Sequence, residues 1–182
     1  MYMNFFSLFI LMLGFNFQSY AESANGEWTV NSGELTYHVH FVLKEVSGTS
    51  KQVKGKGKCI ENKCKFLFAS EVKSFDSGDS NRDLHMLEVT KGAKHPLVVV
   101  NVDALNKIEN KKAISKLNIK FAGVSKDYEN YPVNVELNGH QLKASGQLKI
   151  LLSEFQVQRP SLLGMKVDDN IEIDFNIIMS KR

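Results

Sequence analysis

Two histidines, His38 and His40, are the side chains whose type and spacing come nearest to a metal site in this sequence. Residues two apart on a strand point to the same side of the sheet, and metal sites on sheets do use this spacing. The alternation of the sequence places both histidines on the face opposite Tyr37, Val39 and Phe41, and no acidic or cysteine ligand is visibly paired with them. We therefore predict no metal site and no other cofactor.

An acidic segment between residues 76 and 83 suggests acid–base catalysis or a calcium loop. Its spacing differs from that of an EF-hand loop, which needs a glycine at its sixth position and a later glutamate. A turn, a helix cap and an ion pair are the simpler prediction. We assign these roles to Asp76 with Gly78, to Ser80 or Asn81, and to Arg82 or Asp83. Since nucleophile motifs such as Gly-x-Ser-x-Gly are absent, we predict no catalytic residues and no enzyme activity.

The first 21 residues carry no Lys, Arg, Asp or Glu and end in Ser19-Tyr20-Ala21, which is typical of a secretory signal peptide without a basic n-region. Their apolar part is shorter than the roughly 20 residues of a spanning helix. We predict cleavage after Ala21, with a retained membrane anchor as the alternative. Residues 22–182 carry a net charge of +3 and suit one domain with one core. The product would be periplasmic or secreted.

The two cysteines of the chain, Cys59 and Cys64, are expected to form a disulfide because exported chains usually oxidise their cysteines. A two-residue turn at Glu61-Asn62 would place them opposite each other on neighbouring strands, at a pair where antiparallel strands come closest. Closing so short a loop contributes about 2 kcal/mol. The bridge would therefore fix the register of a hairpin rather than hold the fold together.

Apolar and polar residues alternate with a period of two in many short stretches, which is typical of strands with one buried face. These stretches, together with three further apolar segments, predict about eight strands, near residues 35–43, 51–59, 66–73, 96–105, 117–121, 133–137, 142–150 and 171–175. Long helical periods and continuous apolar runs are missing, so a parallel sheet is excluded. The pattern predicts an all-β fold, either a closed antiparallel barrel or a two-sheet sandwich.

The segment VKSFDSGDSNRDLHMLE, from Val72 to Glu88, ends a strand, turns sharply and restarts as a short helix. It resembles the signature of the YceI-like family. Further similarity lies at Trp28, at His95-Pro96 and in the stretches LNIKFAGVSK, SEFQVQRPSLLG and KVDDNIEIDF. The family is described as lipocalin-like antiparallel barrels that hold polyisoprenoid or other long apolar chains. The resemblance thus implies a single lipocalin-like β-barrel of about eight strands with one or two short helical segments.

The interior of an eight-stranded barrel is either filled by side chains or holds one small ligand. Glycines on apolar faces suggest that space is left inside the barrel beside aromatic rings. Alternatively, the glycines let coiled strands bend, and large neighbouring side chains fill the space that the missing side chains leave. The resemblance implies that an apolar lipid, an isoprenoid or fatty chain, occupies such a cavity. We predict as ligand-binding residues Tyr37, Val39, Phe41, Gly57, Phe66, Phe68, Leu117, Ile119, Phe121, Gly146, Leu148, Ile150, Ile173 and Phe175.

A basic hairpin is predicted from Lys51, Lys54, Lys56, Lys58, Lys63 and Lys65. Such a surface could rest peripherally on an anionic membrane; alternatively, solvated lysines discourage edge-to-edge pairing of strands. Export and a modest net charge argue against nucleic acid as a partner. The first hypothesis is a carrier or sequestering protein for an apolar chain in the bacterial envelope, and the second is a filled barrel that acts as a structural or interaction module through its surface. A third, less favoured hypothesis is an enzyme that is metal-assisted through His38 and His40. The sequence leaves the oligomeric state open, including a dimer.

Overall fold

The computed structural model of the chain describes residues 24–41, 44–105, 108–162 and 164–182. The predicted signal peptide, residues 1–21, lies outside the described residues. Within those ranges, no helix has the length and apolar character needed to cross a membrane.

Nearly all regular structure belongs to one antiparallel sheet of nine strands. The strands are β1 (Gly26–Phe41), β2 (Lys44–Ser50), β3 (Val53–Ile60), β4 (Lys63–Glu71), β5 (Leu97–Leu105), β6 (Lys112–Phe121), β7 (Val124–Asn138), β8 (Gln141–Leu151) and β11 (Asn170–Lys181). A two-stranded hairpin consists of β9 (Ser161–Leu162) and β10 (Met165–Lys166). The described helical segments are α1 (Ser80–Val89) and two 3-10 turns, Val72–Ser74 and Leu152–Phe155.

The sheet closes on itself because β1 has neighbours along both edges. One edge pairs with β11 from Trp28 to Val39. The other edge pairs with β3 through residues 26–29 and with β2 through residues 35–41. Since β2 and β3 thus share one position around the ring, the fold is a closed antiparallel barrel of eight strands. The predicted fold class, with about eight strands and short helical segments, is confirmed.

The two ends of the barrel differ in their connections. One end, which we call the disulfide end, carries the turns β3–β4 and β7–β8 and the connection β5–β6. The predicted pairing is confirmed there: Cys59 lies opposite Cys64 and the two are bridged. The other end, the α1 end, carries the segment between β4 and β5 that contains α1 and the segment between β8 and β11 that contains the small hairpin.

Two separate clusters of buried apolar side chains hold the barrel together. The first lies towards the disulfide end around Trp28, which is 1% exposed and donates a hydrogen bond from Nε1 to the carbonyl of Ala24 at 2.7 Å. The second lies towards the α1 end around Phe155, which is fully buried and packs edge-on against Phe121. Tyr131 packs against both clusters, but no fully buried side chain belongs to both, so the described buried core is divided into two parts.

Candidate functional site

An apolar cavity of about 880 Å³ occupies the inside of the barrel. Side chains from both core clusters contribute to its wall, so it extends from one cluster to the other. Exposed residues line it at the α1 end, where Lys44 and His85 lie, and at the disulfide end, where Leu105 and Ile108 lie. The barrel is thus hollow, with a volume in the range of about 300–1,000 Å³ that is usual for ligand pockets.

Most of the residues predicted as ligand-binding lie on the wall of this cavity. They are Tyr37, Val39, Phe41, Phe66, Phe68, Leu117, Ile119, Phe121, Leu148, Ile150, Ile173 and Phe175. The two remaining predictions, Gly57 and Gly146, are not among the wall residues. The reason is that an aromatic side chain of the neighbouring strand lies between each glycine and the cavity.

These glycines belong to a repeated arrangement in which a glycine faces an aromatic residue on the adjacent strand. The pairs in register are Tyr37 with Gly48, Phe68 with Gly55, Phe66 with Gly57, and Phe175 with Gly146. In each pair the ring occupies the space that a glycine side chain would need: an added Cβ would come within 2.6, 2.5, 2.0 and 2.8 Å of a ring atom, respectively. All four aromatic residues line the cavity.

The glycines therefore contribute to the cavity indirectly. Because a glycine has no side chain, the facing ring can lie along the wall instead of projecting towards the barrel axis. Each pair thus lines the cavity with an aromatic surface while keeping its centre open. Of the two interpretations offered by the sequence, the large neighbours do cover the glycines, yet the space is retained because the rings lie flat.

Helix α1 contributes wall residues that the sequence analysis did not predict. Arg82, His85, Met86 and Val89 line the cavity, and their spacing of three, four and seven residues places them on one face of the helix. This spacing was visible in the sequence and could have identified the face. The face changes character along the helix, from polar at its start to apolar at its end.

The polar segment before α1 fixes the start of the helix. Asp79 is the N-cap, since its side chain accepts hydrogen bonds from the backbone N–H groups of Asn81 and Arg82, so the prediction of Ser80 or Asn81 as the cap is wrong. Arg82 donates to the Ser77 hydroxyl at 2.9 Å and to its carbonyl at 2.7 Å.

The turn before the helix follows the prediction, whereas the expected ion pair is replaced by hydrogen bonds. Gly78 N–H donates to the Asp76 carboxylate at 2.8 Å, as expected for the predicted turn. Asp83 accepts from the hydroxyl of Ser77 at 2.6 Å and from its N–H, and it forms no ion pair with a cation in the described ranges. On the barrel side, burial raises the pKa of Tyr37, and the nearby Asp83 carboxylate adds to the rise. Tyr37 therefore faces the cavity as a neutral phenol.

Charge on the cavity wall is of one sign. The charged wall residues are Lys44 and Arg82, both at the α1 end, and no Asp or Glu is found among the described wall residues. Neither cation has an ion-pair partner within the described ranges. His85 lies beside them on the wall, with Nδ1 at 3.4 Å from the Glu88 carboxylate. The wall is thus apolar over most of its length and cationic at one end.

The two histidines of β1 lie outside the barrel, as the alternation predicts. His38 lies between two carboxylates, with Nδ1 at 3.0 Å from Glu45 and Nε2 at 3.2 Å from Asp174. His40 Nε2 lies 3.7 Å from Glu45. The sequence did not reveal these carboxylate partners. Even with them, no group of three or more His, Cys, Asp or Glu side chains that could hold a metal ion occurs in the described part of the chain.

The basic hairpin forms the outer face of β3 and β4. Lys58 pairs with Glu27 at 3.1 Å and Lys65 with Asp103 at 3.6 Å. Lys54, Lys56 and Lys63 are exposed and have no ion-pair partner in the ranges that the structure describes. An exposed apolar side chain, Ile60 at 57% exposure, lies at the disulfide end of the same face.

Solved structures share this fold at low sequence identity. BcnA of Burkholderia cenocepacia has a TM-score of 0.70 and 18% identity, over 80% of this chain and 95% of that one. A polyisoprenoid binding domain from Saccharophagus degradans, implicated in plant cell wall breakdown, has a TM-score of 0.69 and 11% identity, over 85% and 98%. The YceI protein of Campylobacter jejuni has a TM-score of 0.60 and 20% identity, over 79% and 89%.

The sequence comparisons extend this likeness from fold to family. A search of curated proteins finds no match. The model of the YceI-like domain, in contrast, matches residues 28–179, which include α1 and every strand of the closed barrel except the first two residues of β1 and the last two of β11. This chain belongs to the YceI-like family.

Proposed function

We propose that this protein is exported to the bacterial envelope and binds one long apolar chain, a polyisoprenoid or fatty-chain lipid, inside the barrel as a carrier or sequestering protein. The observation that carries the proposal is the apolar cavity of about 880 Å³ between the two core clusters. The polyisoprenoid binding domain from Saccharophagus degradans supports the ligand class. The Cys59–Cys64 disulfide and the apolar N-terminal segment support export to an oxidising compartment.

The energetics favour a long ligand. Burial of one methylene contributes about 0.8 kcal/mol, whereas association costs roughly 4–15 kcal/mol before any net affinity appears. About ten buried methylenes, or some 8 kcal/mol, are therefore needed merely to offset a mid-range cost. Short apolar molecules would bind weakly in this cavity, and affinity should rise with chain length until the cavity is full.

Native mass spectrometry of the protein purified from its own envelope tests the proposal. Organic extraction then identifies whatever is bound. We expect a stoichiometric apolar chain. A mass equal to that of the protein alone, with no uptake of long-chain isoprenoids, fatty acids or fatty amides afterwards, would contradict the proposal and favour a module that acts through its surface.

A pair of matched variants links any bound lipid to the cavity. Val102 and Asn101 are neighbours on β5; the first lines the cavity and the second is exposed on the outer face. Val102→Trp places an indole where the ligand would lie and should abolish co-purification of the lipid. Asn101→Trp adds the same apolar group outside the barrel and should leave the lipid content unchanged. Equal lipid content in both variants would place the lipid elsewhere.

We further propose that the basic hairpin makes peripheral contact with an anionic membrane. Each of its lysines without an ion-pair partner in the described residues contributes about 1 kcal/mol to the free energy of binding to such a surface. Lys54→Gln with Lys56→Gln should thus weaken binding to vesicles that contain phosphatidylglycerol by about 30-fold at low salt. Lys143→Gln with Lys166→Gln, on other faces, is the control. Sedimentation with vesicles measures the effect, and equal losses in both double variants would refute this contact.

A further inference from the structure

We propose that the lipid carries an anionic headgroup, a carboxylate or a phosphate, and that Arg82 and Lys44 hold this headgroup at the α1 end of the cavity. The inference rests on the proposed function and narrows its ligand class. It starts from the distribution of charge on the wall, where both charged side chains are cations and lie at the same end.

The position of the two cations favours a ligand bound in one orientation. Arg82 begins the cavity-facing stripe of α1, which continues through His85 to Met86 and Val89. Lys44 is the first residue of β2, opposite Phe41, and lies on the wall as well. A headgroup at this end would place the apolar chain along the aromatic wall towards the disulfide end.

Arg82 is oriented for such a role. Its Nε and Nη2 atoms donate to Ser77, which fixes the plane of the guanidinium, and Nη1 makes no hydrogen bond to the residues that the structure describes. The nearest acidic side chain in sequence, Asp83, accepts hydrogen bonds from Ser77 and does not line the cavity. Glu88 is close to His85 but lies outside the wall too.

A charge on the wall of an apolar cavity needs a counter-charge or water. Asp83 reaches Arg82 only through the Ser77 hydroxyl that they share, and neither Arg82 nor Lys44 contacts a carboxylate directly in the described residues. A ligand anion would therefore form direct charge-assisted hydrogen bonds that the protein itself leaves unmade. A neutral alcohol or ester would gain less from the same groups. The wall is therefore expected to distinguish ligands by headgroup as well as by chain.

Displacement of the neutral fluorescent probe N-phenyl-1-naphthylamine from the delipidated protein tests the inference. Hexadecanoate, hexadecyl phosphate and hexadecan-1-ol share one chain and differ in headgroup. We expect both anions to displace the probe at concentrations about tenfold lower than the alcohol, which corresponds to about 1.4 kcal/mol. The two anions separate a carboxylate from a phosphate preference.

Variants assign the preference to residues. Arg82→Gln and Lys44→Gln should each lower the ratio of anion to alcohol affinity at least threefold, with the affinity for the alcohol retained. Since Arg82 also holds the start of α1, the exposed Lys44, on another element, provides an independent variant. Lys166→Gln, a cation at the α1 end but off the wall, is the control and should leave the ratio unchanged.

The outcomes separate the two proposals. Equal displacement by the alcohol and the anions, or an unchanged ratio in both wall variants, would overturn the headgroup assignment while leaving an apolar carrier intact. Failure of all three compounds to displace the probe, together with a lipid-free native mass, would overturn the carrier function itself.

Discussion

Substitution of Gly57 by alanine should narrow the cavity, because the facing ring of Phe66 leaves no room for a Cβ. The added carbon would lie 2.0 Å from Phe66 Cδ1, whereas ordinary contacts begin at 3.4 Å. The ring must therefore move by 1.4 Å (3.4 − 2.0). Since the β3 backbone lies behind it, a movement towards the cavity is the direct way to clear the new Cβ. Gly146→Ala requires a smaller shift of 0.6 Å (3.4 − 2.8) by Phe175.

The expected cost falls more on binding than on stability. Overpacking a dense core lowers the stability of the fold by about 1–3 kcal/mol. Because Phe66 borders a cavity into which its ring can move, we expect the stability loss in Gly57→Ala to be at the low end of this range. A ring displaced by this distance excludes about one methylene of the ligand, or 0.8 kcal/mol, which lowers affinity about fourfold. The loss should be largest for the longest chains, since they fill the cavity. Gly146→Ala should have a weaker effect of the same kind.

Probe displacement by saturated fatty acids of increasing chain length measures this effect. We expect the optimal chain length to decrease in Gly57→Ala. Lys56→Ala, on the outer face of the same strand, is the matched control and should behave as the wild type. An unchanged chain-length profile in Gly57→Ala, or a loss of the same size at every chain length, would refute the view that glycine–aromatic pairs set the width of the cavity.

Three further predictions concern stability. Replacing Cys59 and Cys64 by serine should cost about 2 kcal/mol in urea unfolding with the fold retained, and loss of the native circular dichroism spectrum would contradict a register-fixing role. Asp79→Ala removes the N-cap of α1 and should cost about 1 kcal/mol, measured in the same way; no change would argue against the cap. Two hydrogen bonds from Ser153 lower the pKa of Asp169, so its stabilisation is present above its unfolded pKa and is lost as pH falls through the folded one. Asp169→Asn should thus lower the melting temperature more at neutral pH than at acid pH, and equal losses at both would refute this origin.

The barrel could be predicted from sequence because strands with one buried face show a period of two. That signal fails where a bulge changes which residues point inward. In β1 the register shifts between Val30 and Ser32, so only its second half was predicted. In β7 the inward positions change phase near Asn130, whose φ of 54° lies in the left-handed region, so only its last part was predicted.

The cavity itself depends on contacts between strands that one sequence does not reveal. Gly57 and Phe66 are nine residues apart (66 − 57), and only the β3–β4 register places the ring over the glycine. For Gly146 and Phe175 the pairing joins β8 to β11 across the whole segment of the small hairpin. Apolar faces therefore identified the wall residues, while the open volume follows from how glycines and rings pair across strands.

The division of the interior into two clusters bears on how cooperatively the barrel unfolds. Without a ligand, the Trp28 cluster and the Phe155 cluster are joined by Tyr131, which packs against both of them. A bound apolar chain would contact both clusters and supply the apolar contacts between them. Hydrogen exchange should then report two ends that open with different free energies in the empty protein and with a common one when it is loaded. The bound lipid would thus make the two ends of the barrel unfold cooperatively, and after its release the two ends would again open separately.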